Sequence, residues 1–245
     1  MRSILSPIVF VACLLIVCAA PSAQAPEGFL SLFNGRSLDG WVVENSTSNN
    51  FTVSDGVLRV EGPQGWLRSE QQYGDFSLRV EVRFLTADAD SGIFLRAPGP
   101  ASNIFIRGWP ANAYQVQVRD MSVNRTNNPL WAGHLYRHRV VPGPTTYDME
   151  TAGKAFRPTG EWQVFEIEAA GERIRVRLNG LAVLDAGGIV NPRGFIGIQG
   201  ETGALEYRRI DIRERIPGQE ATGAGHRLNG IAENTTKPRH PNAVR

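Results

Sequence analysis

Between Asn112 and Asp120 the chain reads NAYQVQVRD, which sets Gln115, Gln117 and Arg119 at alternate positions around Val116 and Val118. In an extended strand successive side chains point to opposite faces, so the valines enter a core while the amides and the guanidinium share the other face. Such groups donate hydrogen bonds without titrating near neutrality. That suits sugar hydroxyls and an oxyanion that develops during a reaction. The same parity places Glu81 and Arg83, and Phe94 and Arg96, on outward faces of their own strand motifs. The expectation is a polar groove lined by Arg96, Gln115, Gln117 and Arg119.

Proton transfer on that face requires a carboxyl or imidazole group. Glu81, Asp90, Asp120, Glu150 and Glu201 are available. Glu81 has the outward parity, although its position between Arg79 and Arg83 also fits an ion-pair ladder. Asp120 ends its strand, where capping the next turn is an equal use. Asp90-Ser91-Gly92 reads most simply as a turn. His134 and His138 stand four apart, but Pro142 and the lack of a helical pattern argue against a metal pair on a helix. His134 is kept as a general acid or base, because an imidazole titrates in the useful range. The catalytic candidates are therefore Glu81, Asp120 and His134. Trp109 and Trp131, with Tyr136 and Tyr147, fall in loop-like segments; they offer aromatic faces to sugar rings or anchor the loops. Trp41, Trp66 and Trp162 are assigned to packing. No glycine-rich phosphate loop follows a strand. No metal-ligand set and no cofactor are expected, with a divalent ion left open.

The elements that must hold these groups follow a period of two. Phe76, Leu78, Val80, Val82 and Phe84 alternate with Ser77, Arg79, Glu81 and Arg83, giving a strand with one dry face. Phe51–Val60 is split by Asp55-Gly56, and Asn179-Gly180 separates Arg173–Leu178 from Leu181–Leu184; both dipeptides are hairpin signals. Trp162–Ala169, Phe195–Gln199 and Leu205–Ile212 continue the pattern, and no long segment repeats at helical spacing. Many short strands of this kind imply an all-β, two-sheet sandwich or jelly roll. The segments 98–113 and 121–158 alternate little and read as long loops of functional length.

At the N-terminus Arg2 precedes an apolar run from Ile8 to Ala20, then Pro21 and Ala23-Gln24-Ala25. This is the pattern of a secretory signal peptide, with cleavage near Ala25 and export to the periplasm or medium. The run is too short for a membrane span. Cys13 and Cys18 both lie inside it, so the mature chain carries no disulfide and no thiolate site. Lipid attachment at Cys18 is the lesser alternative, since Val17 precedes it where a small residue is wanted. Roughly 220 residues then remain, enough for one large β domain over 26–216, with a polar tail over 217–245 that contains His226 and His240. The net charge of +2, with signs mixed throughout, gives no basic face for nucleic acid. The oligomeric state is open.

Taken in order, GFLSLFNGRSLDGW, VSDGVLRVEG, GWLRSEQQYGDFSLRVEVR, SGIFLRAP, YQVQVRD, GEWQVFEIEAAGERIRVRLNG and GFIGIQGETGALEYRRIDI resemble the 3-keto-disaccharide hydrolase domain family over Gly28 to Arg215. The resemblance implies a concanavalin A-like β-sandwich and an activity on glycosides already oxidised to a ketone at carbon 3. The ketone acidifies the carbon-2 proton; a base removes it, the aglycone leaves from carbon 1, and water addition completes a net hydrolysis. No nicotinamide is implied. Three positions depart from the family pattern: Gln115 stands where members commonly carry Glu, and Val176 and Glu201 stand where histidines are often found. An amide cannot act as a general base, so a non-catalytic carbohydrate-binding sandwich is the alternative.

Overall fold

The computed structural model describes residues 25–46, 49–99, 108–123 and 131–215. The expected leader with both cysteines, and the expected tail beyond residue 216, lie outside the described residues. Within them the chain forms fifteen strands and one helix: β1 (Leu30–Ser31), β2 (Trp41–Glu44), β3 (Phe51–Ser54), β4 (Val57–Glu61), β5 (Trp66–Tyr73), β6 (Phe76–Phe84), β7 (Asp90–Ala97), β8 (Ala113–Arg119), β9 (Leu135–His138), β10 (Thr145–Tyr147), α1 (Met149–Ala155), β11 (Trp162–Ala170), β12 (Arg173–Leu178), β13 (Leu181–Gly187), β14 (Gly194–Gln199) and β15 (Ala204–Glu214).

The strands make two sheets. One, of nine strands, runs β10-β13-β12-β11-β6-β15-β4-β3, with β1 paired to β15; the other, of six, runs β2-β5-β14-β7-β8-β9. All pairings are antiparallel. The expected all-β two-sheet architecture is thus observed. The two hairpin dipeptides adopt the left-handed backbone that tight two-residue turns demand: Asp55 and Gly56 at φ 49° and 79°, Asn179 and Gly180 at 48° and 87°.

The core lies between the sheets. The dry face of β6, Phe76 to Phe84, is fully buried there with Ile93, Leu95, Val116 and Val118 of the opposite sheet. The outer face of β7 and β8 is buried as well, which is why neither strand shows an exposed alternate position. A second apolar cluster of Trp66, Phe94, Ala97, Trp109 and Ala113, with Phe195 against it, covers part of that face. The segment 121–158, expected as a loop, instead contributes β9, β10 and α1. Asp148 caps the helix through Thr151 N–H, and with four strand residues at most, β9 and β10 are too short to show a period.

Candidate active site

Gln115 and Gln117 do share a face, on the outer side of the six-stranded sheet, and they are buried there rather than solvated. In register, Gln115 sits beside Phe94 on one side and Tyr136 on the other, and Gln117 beside Gly92. Gly92 leaves the room: a Cβ there would fall 2.1 Å from Gln115 Nε2. Gly197 does the same for Trp66, whose ring would meet a Cβ at 2.3 Å, so both large side chains lie flat on the sheet.

The amides form a directional chain. Gln115 Nε2 donates to Gln117 Oε1 at 3.1 Å and to Gln199 Oε1 at 2.8 Å. Gln117 Nε2 donates to Asp90 Oδ1, and Arg119 donates to Asp90 Oδ2 at 2.9 Å and to Asp88 Oδ1 at 3.2 Å. At the other end Gln115 Oε1 faces His138 Nε2. With both amide hydrogens of Gln115 engaged elsewhere, the imidazole must be the donor, which fixes its tautomer. His138 is boxed by Tyr136, Phe94 and Trp109 at centroid distances of 4.6, 5.5 and 6.4 Å.

Burial sets the charge states. Desolvation depresses His138 to about 4, so the ring is neutral at ordinary pH. Desolvation, and next the negative charge of Glu201, push Asp90 up to about 7; Arg119, Gln117 and the Ser91 N–H oppose them without prevailing. A carboxyl that titrates near neutrality inside a partly apolar recess can hold or release a proton under working conditions. Among the described residues no group of three or more His, Cys, Asp and Glu is disposed to hold a metal ion.

Several expected site residues lie elsewhere. Arg96 does not line the groove. Its φ of 46° and a register shift in the facing β14 turn it out of the alternation. Its fully buried guanidinium instead binds the carbonyls of Gly74, Gly171 and Asn191 at 2.8–2.9 Å and the carboxylate of Asp75 at 2.7 Å. Glu81 faces outward, as expected, but from the nine-stranded sheet, with the whole core between it and the glutamines. There Arg79 and Arg208 clasp it: burial opposes its charge, and those two hydrogen-bonded arginines nonetheless hold its carboxyl below the ordinary value. Asp120 has the parity of the valines and is buried, accepting from Ser122 N–H at 2.6 Å and from Thr159 Oγ1 at 2.5 Å; it fastens a turn.

His134 is brought to the sheet only through its carbonyl, which accepts from Gln117 N–H at 2.9 Å. Its ring stands edge-on to Tyr147 of the other sheet, 5.1 Å between centroids, its Nδ1 is buried with no hydrogen-bond partner among the described residues, and desolvation lowers its pKa. Trp131 is half-buried at the start of the same segment, where its carbonyl accepts from His134 N–H. Trp109 does reach the site, but as its wall: the ring is buried and Nε1 donates to Gly200 O at 3.1 Å. Trp66, assigned to packing, packs on this outer face and not in the core. Gln117, Gln115 and Arg119 are brought together as expected, joined by Asp90, Gln199, His138 and Glu201. Of the departures from the family pattern, Gln115 and Glu201 belong to this cluster, whereas Val176 is a core residue.

A cleft of about 830 Å³ opens on the outer face of the nine-stranded sheet, lined in part by Arg79, Glu166, Glu168, Arg175, Arg177 and Asp185. Its signs alternate across the strands, and Arg175 lies 3.6 Å from both Glu168 and Asp185. Such a ladder neutralises itself, and the Arg173 guanidinium hydrogen-bonded to Asp185 holds that carboxyl below its ordinary value, so the chemistry is assigned to the buried cluster on the six-stranded sheet.

A profile of the 3-keto-alpha-glucoside-1,2-lyase-like domain matches residues 28–213. No curated protein matches the chain. Among solved structures, it is similar to a candidate glycosyl hydrolase of Parabacteroides distasonis at a TM-score of 0.60 and 21% identity, covering 76% of this chain and 99% of that one. A second from the same organism gives 0.55 and 18%, with 78% and 95% covered. The exoplasmic/lumenal domain of VIP36, in a form bound to Ca²⁺ and Man3GlcNAc, gives 0.52 and 12%, with 80% and 92% covered. At these identities the structural likenesses establish the sandwich fold.

Proposed function

The chain belongs to the 3-keto-alpha-glucoside-1,2-lyase-like domain family, and from that premise we propose that it is an exported enzyme cleaving 3-keto-glycosides, 3-keto-disaccharides among them, by carbon-2 proton abstraction, elimination and hydration. Family membership supports a carbohydrate-active role. The observation that carries the finer reading is Asp90, a recessed carboxyl poised near neutrality and wired to donors.

The reaction requires a proton to leave carbon 2, charge to collect on the carbon-3 oxygen, and the glycosidic oxygen to be protonated as it departs. Asp90 is the group suited to move a proton. Arg119, and the N–H groups of Gln199 whose oxygen Gln115 already occupies, are the donors suited to the enolate oxygen. The chain from His138 to Gln117 holds the Asp90 carboxyl in one orientation, because each amide has a single way round that satisfies both neighbours. Trp109, Phe94 and Trp66 keep water from one side of the recess, which strengthens every electrostatic contact within it.

A second reading, a carbohydrate-binding sandwich without chemistry, is favoured by the amide at position 115. One experiment separates the two. Purified protein is incubated with a 3-keto-disaccharide, and binding and release of the free monosaccharide are followed together. Release that is lost in Asp90→Asn supports the enzyme; binding without release supports the module.

A further inference from the structure

Glu201 is the residue that the proposed function leaves without a role, and the local ladder brings its chain neighbour Thr202 to Asp90. Ile198 pairs with Ile93 and Thr202 bridges Asp90, so between these two pairs the 198–202 side carries one residue more than β7. Such an extra residue is a bulge, in which two residues oppose one and the local strand is re-aimed. Here Thr202 opposes Asp90, locked by Asp90 N–H to Thr202 O at 2.8 Å and Thr202 N–H to Asp90 O at 3.1 Å, and Glu201 is the immediate chain neighbour of Thr202 on the side that carries the extra residue. Glu201 is half-buried, next to a buried Asp90, and its charge is felt there. The pair stands at one end of the recess, with Arg119 and Asp88 beside it and the amide chain leading away.

Two adjacent carboxyls of unequal burial divide proton work in a defined way: the more buried one holds its proton and donates, and the more exposed one is ionised and accepts. We propose that Glu201 is the base that takes the carbon-2 proton and Asp90 the acid that protonates the departing oxygen. Because both stand on one wall, the elimination they serve is syn. This rests on the reading of the chain as a 3-keto-glycoside lyase.

The step balances without an oxidant. Glu201 carboxylate takes the proton from carbon 2, and the C2–H electron pair forms the C2–C3 double bond of the enolate as the ketone π pair moves to oxygen. The enolate then re-forms the ketone; its pair becomes the C1–C2 double bond, the C1–O bond breaks, and the leaving oxygen takes the Asp90 proton. Glu201 now carries the proton and Asp90 the charge, and transfer across the pair restores the starting state. The stereochemical consequence is sharp. In a β-glucoside the carbon-2 hydrogen and the glycosidic oxygen lie on the same face of the ring, and in an α-glucoside on opposite faces. The pair therefore selects β-configured 3-keto-glucosides, against the α configuration in the family's name.

The test uses the purified protein with the two anomers of 4-nitrophenyl 3-keto-glucoside and with the methyl 3-keto-β-glucoside. The expected result is turnover of the β anomer at least about tenfold faster than the α. Glu201→Gln should lower kcat by about 10²-fold or more for both β substrates, since removal of a general base costs on the order of 10²–10⁴. Asp90→Asn should lower it more for the methyl than for the nitrophenyl glycoside, whose leaving group needs little acid help. Thermal melts show whether each variant is folded; a Glu201→Gln that does not fold is replaced by Glu201→Asp, which shortens the reach and should lower kcat in the same sense. Equal or faster cleavage of the α anomer, or full activity in folded Glu201 variants, overturns this inference and leaves the proposed function standing. Turnover of neither anomer, nor of a 3-keto-disaccharide, removes both.

Discussion

Replacing Asp90 by Asn should make the protein more stable in alkaline solution, and by an amount that depends on pH. In the unfolded chain an aspartate titrates at 3.8; in the recess it titrates at about 7. The folded state thus binds more protons across that window, so this group's contribution to stability is fullest below 3.8 and falls as pH rises to about 7. The gap corresponds to roughly 4 kcal/mol at 1.36 kcal/mol per tenfold change. Asn removes the titration and keeps an acceptor for Gln117 Nε2, while giving up the attraction of Arg119. The groups facing Asp90 are Arg119, Glu201 and Gln117, with Tyr207 reached through the Ser91 hydroxyl. All persist in the variant. The assay is urea unfolding of both proteins at pH 5 and pH 8. Relative to wild type, the variant should gain roughly 2–3 kcal/mol between the two pH values, because the slope applies from pH 5 to about 7. The opposing slope of His138, neutral in the fold and losing stability as pH falls from 6.5 toward 4, is common to both proteins and cancels. A difference that does not change with pH would refute the raised carboxyl and with it the acid role of Asp90.

Arg96→Met should cost about 3–5 kcal/mol, because it strands Asp75 and three carbonyls that the buried guanidinium now satisfies; lost turnover with an unchanged melting curve would return Arg96 to the groove. Gln115→Glu places a carboxylate against His138 Nε2 and should raise the imidazole pKa from about 4 toward its ordinary value, read from the histidine proton resonances in a pH titration. Glu81→Gln should weaken the Arg79–Glu81–Arg208 clasp by about 1–3 kcal/mol while leaving turnover of a 3-keto-disaccharide untouched; a collapse of turnover in a folded variant would contradict the placement of chemistry on the other sheet. The exported product should begin near Pro26, and mass spectrometry that finds an intact leader or a lipid on Cys18 would contradict it.

Much of the fold was legible because its signals are local. The alternation in Phe76–Phe84 and the Asp-Gly and Asn-Gly turns each depend on neighbouring residues, and each reappears as β6 or as a hairpin. The site was legible only where alternation was unbroken, at Gln115, Gln117 and Arg119. Parity sends Glu81 outward correctly, but cannot say from which of two sheets. It fails outright at Arg96, where a left-handed backbone and a bulge opposite reverse the side chain. Asp90-Ser91-Gly92 has the composition of a turn, yet Asp90 opens β7; what makes it a strand is pairing with distant segments, Asp90 with Arg119, Ser91 with Val118 and Gly92 with Gln117, together with the bridge from Asp90 to Thr202. The four-residue spacing presents His138 as one of a histidine pair, but the strand that fixes it is four residues long and its partner is β8.

The four bonds of Arg96 close loops of 21, 22, 75 and 95 residues. Bringing such distant segments together costs chain entropy before any contact rewards it, so contacts of this kind belong to the late stage of assembly. A group that is satisfied only after the transition state resists departure from the native state without hastening arrival. Removing it should leave the refolding rate nearly unchanged and put almost the whole loss of stability into faster unfolding. For a chain proposed to be exported, a slow unfolding rate is the property that decides how long the folded form survives proteases.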